Sequence, residues 1–399
     1  MEQKNELLSY IHNISLFGLG VLFMAFPVIF TTITTNPIVL PKQVLLGAVV
    51  TILLVLHTVK ILTERSAKFR RTPFDVPVFL LALFAFLSSF LAVNRADALI
   101  AFVPYFFAIL GFFLIVNIVK DKNSLLFLMY SLMIGAILLS LSSVLSFFKI
   151  YVLPFPGTHA QTFTPLGSLL EQEIYLILVL AISFYYLFRL FKSKAKAKQE
   201  QDFQTLSHSA ITSSEITKAV SFGAATFIIL LGIIVTTYAL FKIDKPSLLP
   251  IETGFQTAFS QISLDSGRIV QGFLVGSGFG TYAVDFSRWK QATFNQNENL
   301  WNLTFFRSSN FALELLATTG ILGISAFIFL LIRALKEIRM GIQNKMLLAL
   351  LALFAFSFLL PLGFVTQSLF FIVLGLFAAN QGLITKAQSR FFDIELQLV

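Results

Sequence analysis

The sequence predicts an all-α polytopic membrane protein with about ten transmembrane helices and one large external loop. First, 57% of its 399 residues are hydrophobic and the mean hydropathy is +0.84, while 12% are charged, about half the share of a soluble domain. Second, about ten windows reach the roughly 20 apolar residues that a helix needs to cross a hydrocarbon core of about 30 Å. Third, long apolar runs such as Val78 to Val93 lack the alternation of a barrel strand, which leaves helices as the way to satisfy the backbone in lipid.

In order, the expected spans cover 14–34, 44–62, 75–93, 98–118, 124–148, 168–191, 219–241, 311–332, 346–364 and 367–385. The first is too long for a signal-peptide core and lacks a small-residue cleavage site, so it reads as a span. With the N-terminus in the cytoplasm, most of the 29 lysines and arginines fall in inside segments, including Lys60, Arg65, Lys68, Arg70 and Arg71. Both termini are therefore expected inside. The net charge of +9 is then a topology signal and implies no nucleic-acid partner. Zero cysteines exclude disulfides, thiolate metal sites and a cysteine nucleophile.

Three parts follow. Residues 1–241 form an N-terminal bundle of about seven helices, with a polar, low-complexity cytoplasmic linker at 192–218 that reads as mobile. Residues 242–310 form the large extracytoplasmic loop, and 311–399 the last spans and a short cytoplasmic tail. His57 stands alone in the second span and reads as satisfied or interfacial. The loop from Ile150 to Gly167 carries Pro154, Pro156 and Pro165 and leads into a span that Glu171 and Glu173 enter, either at the interface or lining a cavity. The 47 phenylalanines read mainly as lipid-facing surface.

The long loop gathers the chemistry. Ile251, Phe255, Phe259 and Ile262 have the spacing of a short interfacial helix. Arg268 follows, then the glycines Gly276, Gly278 and Gly280, which permit tight turns and close backbone approach but follow no βαβ unit and so carry no nucleotide-binding reading. From Phe286 to Asn310 the chain supplies Arg288, Trp289, Lys290, Asn295, Gln296, Asn297, Glu298, Asn299, Trp301, Asn302 and Arg307. Tryptophan beside amides and cations suits sugars and equally suits the headgroup belt. If Arg307 begins a helix, Arg307, Asn310 and Glu314 lie along one face, with Glu314 about one turn below the outer surface. A buried carboxylate there is either functional or half of a structural ion pair.

The order of Arg268, a short apolar helix, GSGFGTY ending in Tyr282, a polar loop and RSSNFALELLATTGILG resembles the signature of the O-antigen ligase and O-antigen polymerase superfamily. The likeness covers about Leu264 to Arg333, with a weaker echo in TPLGSLLEQEIYLILVL. It implies an integral inner-membrane glycosyltransferase of the GT-C type. Such an enzyme takes a glycan from an undecaprenyl diphosphate carrier at the outer face and joins it to a glycan or lipid acceptor, without a metal or other cofactor. It implies that Arg268, and Arg307 as a second basic residue, hold the diphosphate. Together with the residues read above, the candidate catalytic set is Arg268, Glu314, Ser309 and Asn310, and the candidate substrate-binding set Arg307, Arg288, Lys290, Tyr282 and Trp301. Where the family usually has histidine before the asparagine, this chain has Ser309, so either Glu314 is the base or the chain is inactive. Guanidinium groups aimed at a diphosphate stabilise the charge of that leaving group, and direct displacement predicts inversion. The rival readings are a transporter or flippase of an anionic lipid-linked substrate, a peptidoglycan polymerase of the shape, elongation, division and sporulation class, and an inactive scaffold.

Overall fold

The computed structural model describes residues 2–201, 213–265, 267–296, 301–340, 344, 346–384 and 392–397. The bundle opens with α1 (Glu2–Ala25), α2 (Val39–Glu64), α3 (Asp75–Phe90), α4 (Arg95–Ile118) and α5 (Lys122–Phe147). Next come α6 (Leu169–Gln201) and α7 (Ser213–Lys242), followed by α8 (Ile251–Leu264), α9 (Ile269–Val275), α10 (Tyr282–Trp289) and α11 (Ala292–Asn295). It closes with α12 (Phe311–Met340), α13 (Leu347–Leu359) and α14 (Phe364–Ile384). Local chemistry sets several starts. Asn36 accepts from the amides of Ile38 and Val39 ahead of α2, and Asp121 accepts from Asn123 and Ser124 at 2.8 Å each at the head of α5.

Among the described residues, α1, α2, α4, α5, α6, α7, α12 and α14 are the eight helices long and apolar enough to cross a membrane. This is the architecture of a polytopic membrane protein. The expected spans at 75–93 and 346–364 fold as shorter apolar helices, α3 of 16 residues and α13 of 13. At 1.5 Å per residue these rise about 24 and 20 Å, short of a core of about 30 Å. Pro361 explains the early end of α13, because the residue before a proline avoids helical backbone and Leu360 is extended. The first span is also corrected. The helix runs from Glu2 to Ala25 instead of 14–34, since Pro27 ends the ladder although the apolar run continues to Phe30.

The lowest-hydropathy long helices are not the most lipid-exposed. α14 carries Thr366, Gln367, Ser368, Asn380 and Gln381, and 83% of its span is buried, against 17% for the more apolar α2. Polar side chains inside a membrane protein are sheltered by neighbouring helices, which is why α14 is central and packs along α4. Asn380 donates to Asn344 at 2.8 Å, which in turn donates to the Phe377 carbonyl at 3.0 Å. Many phenylalanines are interior too: Phe327 packs against Phe311, Phe354, Phe358 and Phe370.

Helices α6 and α7 continue beyond their spans into the segment read as a linker, of which 202–212 lie outside the described residues. A short antiparallel ladder of β1 (Ser66–Arg71) with β2 (Phe392–Gln397) joins the α2–α3 turn to the C-terminal segment. The all-α reading did not contain it. α3 starts beside β1, and its far end reaches Arg268 and α9, so the ladder and the α8–α11 assembly occupy opposite ends of the bundle.

Candidate functional site

The site is built on an interrupted helix. Gly320 adopts φ 63, ψ −163 inside α12 and splits it into two segments. Such a break at membrane depth exposes carbonyls that need donors. The glycine motif supplies them: the Ser277 amide donates to the Ala317 carbonyl at 3.2 Å and the Gly278 amide to Thr318 at 3.0 Å. Ser88 of α3 adds its hydroxyl to Thr318 at 2.5 Å. The close backbone approach that these glycines allow is made against α12.

Around this anchor, α8, α9 and α10 fold over the end of the bundle opposite the β ladder. The amphipathic reading of α8 holds for Ile251, Phe255 and Phe259, which are exposed, whereas Ile262 is buried. On its inner side Gln261 and Asp265 organise the arginines. Asp265, 1% exposed, accepts from Arg288 Nη2 at 2.8 Å and lies 3.8 Å from Arg268 Nη1. Gln261 donates to Asp265 at 3.1 Å and accepts from the Trp289 indole at 2.6 Å. Arg268 also donates to Gln271 at 3.1 Å and to the Leu91 carbonyl at the end of α3, while its buried Nη1 forms no hydrogen bond among the described residues. Asp285 accepts from Ser277 at 2.6 Å, and burial holds its carboxyl well above the usual carboxylate range despite nearby Arg288 and Arg268.

The head of α12 holds the second charge group. Asn310 caps the helix through its Oδ1, which accepts from the Leu313 amide at 2.9 Å. The helix therefore begins at Phe311 rather than at Arg307. Arg307 nevertheless reaches Glu314, at 3.3 Å, and donates to the Leu362 carbonyl at 2.6 Å. Glu171 of α6 belongs to the same group, under the field of Arg307 and Lys42, with its carboxylate against Gly363, where a Cβ would collide with it. Lys42 is buried and donates to the carbonyls of Ile29 at 2.6 Å, Ile38 at 3.1 Å and Pro165 at 2.7 Å.

Between the two charge groups lies a set of unsatisfied polar atoms. Thr257 Oγ1, the Tyr282 phenol, Ser308 Oγ, Ser309 Oγ and Glu314 Oε2 are buried without a formed hydrogen bond among the described residues. Tyr282 feels Ser308, Thr257, Glu314 and Asp285, and burial pushes its phenol up to about 12. Tyr282 lies within reach of Ser308 and Thr257, so part of this cluster can pair internally, while Ser309 Oγ and Glu314 Oε2 keep unused hydrogen-bonding capacity.

The structure thus brings Arg307 together with Glu314, and Arg268 with Arg288, while Tyr282, Ser309 and Asn310 lie between or beside those pairs. Ser309 sits against Gly254 of α8, whose missing side chain makes room for the hydroxyl. Lys290 lies over the rings of Phe286 at 5.7 Å and Phe294 at 6.0 Å, and Trp301 is 57% exposed, so neither joins the buried cluster. Asn297, Glu298 and Asn299 fall outside the described residues. Sequence reasoning missed Asp265, Gln261, Asp285 and Lys42. The available signals were an acid three residues before each of Arg268 and Arg288, and a lysine within the first turn of a span. Among the described residues no three His, Cys, Asp or Glu side chains group as metal ligands.

The chain matches no model of a known protein family and no curated protein sequence. Its functional reading rests on the geometry above and on the motif order in the sequence.

Proposed function

We propose that this protein is a GT-C-type membrane glycosyltransferase, with about ten spans counting α3 and α13. It moves a glycan from an undecaprenyl diphosphate carrier to an acceptor sugar at the outer face of the plasma membrane. The observation that carries the reading is the Arg307–Glu314 pair at the head of α12: Glu314 keeps one carboxylate oxygen unengaged, facing a cluster of unpaired hydroxyls beside two further arginines. Arg307 and Arg288, whose side chains are about a third exposed, hold the diphosphate. Arg268 is a positioning residue that locks the α8–α9 turn onto α3. The acceptor oxygen attacks the anomeric carbon from the face opposite the diphosphate, the glycosidic C–O bond breaks with its electron pair going to the leaving group, and the hydroxyl proton passes to Glu314. The product is inverted. The basic turn after α2, joined by the β ladder to the C-terminal segment, supports a cytoplasmic placement of that end.

Release of undecaprenyl diphosphate from a labelled lipid-linked glycan in proteoliposomes tests this directly. The wild type is expected to release it, and Glu314→Gln to lose release while remaining folded. One observation favours a second reading as a lipid-linked-glycan transporter: the break in α12 at Gly320 has the form of the discontinuous helices on which transporters build their sites. Movement of the labelled lipid across the bilayer without diphosphate release would establish that reading and sink the transferase.

A further inference from the structure

The end of the bundle opposite the α8–α11 assembly holds a separate cavity of about 400 Å³ between α2, α4 and the β ladder. It is unrelated to the arginine and glutamate groups described above. Its polar rim is formed by Arg70, Arg71, Asp75 and Asn117, and its walls are apolar apart from His57. Leu54 and Leu110 lie ten and eight residues before the ends of α2 and α4, so the cavity runs about 12–15 Å from the mouth into the membrane-spanning part of the bundle. The fourth side comes from the other end of the chain. The register Phe69↔Ile394 places both side chains on the ladder face that lines the cavity, while Lys68 meets Glu395 at 3.2 Å as the adjoining cross-strand pair. The acid at the rim, Asp75, accepts from the Thr72 amide at 2.8 Å and hydroxyl at 2.6 Å and also lies in the field of Arg71, so a bound phosphate would share that guanidinium with it. The Arg70 backbone amide is fixed by Asn117 at 2.8 Å and its guanidinium by the Val119 carbonyl at 3.1 Å, so the rim is held in place before any ligand arrives.

We infer that this cavity binds an anionic phospholipid, with the headgroup phosphate at Arg71 and Arg70 and an acyl chain between α2 and α4 under the C-terminal strand. A cationic rim over an apolar slot that enters the bilayer from one leaflet matches a molecule with a charged head and a hydrocarbon tail. A small soluble anion uses the rim alone and leaves the apolar depth unaccounted for.

The test uses the full chain carrying Phe69→Trp, reconstituted in phosphatidylcholine nanodiscs, with fluorescence read as the difference from the chain that keeps Phe69. Brominated phosphatidylglycerol is expected to quench the new tryptophan saturably and about fivefold more effectively than brominated phosphatidylcholine, the preference that one arginine confers. Arg71→Gln is expected to remove the preference, and Leu114→Phe, which fills the slot, to reduce quenching by either lipid. Equal quenching by the two lipids, or a preference that survives Arg71→Gln, overturns the proposal. Displacement of the brominated lipid by millimolar glycerol phosphate also overturns it, because the site would then be one for a free phosphate. If Phe69→Trp does not fold, native mass spectrometry of the unaltered chain reads the same preference as retained phosphatidylglycerol, and its absence is equally decisive.

Discussion

Gly276 and Gly320 lie backbone against backbone. A Cβ on Gly276 would stand 2.5 Å from the Thr318 carbonyl carbon, and a Cβ on Gly320 would stand 2.5 Å from Leu274 and 2.7 Å from the Gly276 amide nitrogen. Both also have positive φ, 69 and 63. Strain and overlap add, so Gly276→Ala and Gly320→Ala are each expected to destabilise by roughly 2–4 kcal/mol. Thermal unfolding in detergent measures this, with Gly157→Ala, where a Cβ meets no atom within 4 Å, as the unaffected control.

Arg307→Ala leaves the buried Glu314 carboxylate without its cation. It is expected to cost about 1–3 kcal/mol, whereas Glu314→Gln removes the charge and costs less. The double variant Arg307→Ala/Glu314→Gln recovers most of the loss if the pair is coupled. A double-mutant cycle on unfolding temperatures that shows simple additivity would mean that the 3.3 Å contact carries no energy.

Asp285 predicts a pH dependence of stability. Burial raises its folded carboxyl well above the ordinary 3.8, so between 3.8 and the folded value the native state holds a proton that the unfolded state has released. Its contribution is intact below 3.8 and is lost as pH rises through that window. Asp285→Asn, which still accepts from Ser277, is expected to unfold near the wild-type temperature at pH 4 and above it at pH 8. Parallel curves for the two chains from pH 4 to pH 8 would disprove the assignment.

Asp265 is the shared counter-charge of Arg268 and Arg288. Asp265→Ala is expected to lower turnover at least as far as Arg288→Ala does and to cost about 3 kcal/mol, since two guanidinium groups lose their acceptor. Asp265→Asn, which keeps the shape, is expected to fall between. Assaying all three variants for diphosphate release, alongside their unfolding temperatures, separates the loss of binding from the loss of fold.

Ser309 tests which group takes the proton. If Glu314 is the base, Ser309→Ala retains most of the turnover and Ser309→His does not improve it, because the side chain must enter the space that Gly254 leaves for one hydroxyl. A gain of activity in Ser309→His would instead mark position 309 as the base.

The sequence by itself determined the class of this protein and pointed to one region for its chemistry. Unbroken apolar runs in a chain of mean hydropathy +0.84 leave only helices in lipid, and cations, glycines and an intramembrane acid between 264 and 323 mark one region as costly to keep unless used. Helix ends followed local signals such as Pro27, Pro361 and Asn310, legible once weighed against the hydropathy window. Tertiary structure alone decided which groups meet. Glu171 lies 136 positions before Arg307, Ser88 caps a carbonyl 230 positions away, and β1 finds a strand near the other end of the chain. Such contacts leave no periodicity, because periodicity records only which face of an element is apolar, not which distant face it packs against. The interruption of α12 belongs to that second kind. Gly320 in a run of TTGILG reads as an ordinary helical glycine, and only the amides arriving from Ser277 and Gly278 make the open form satisfied.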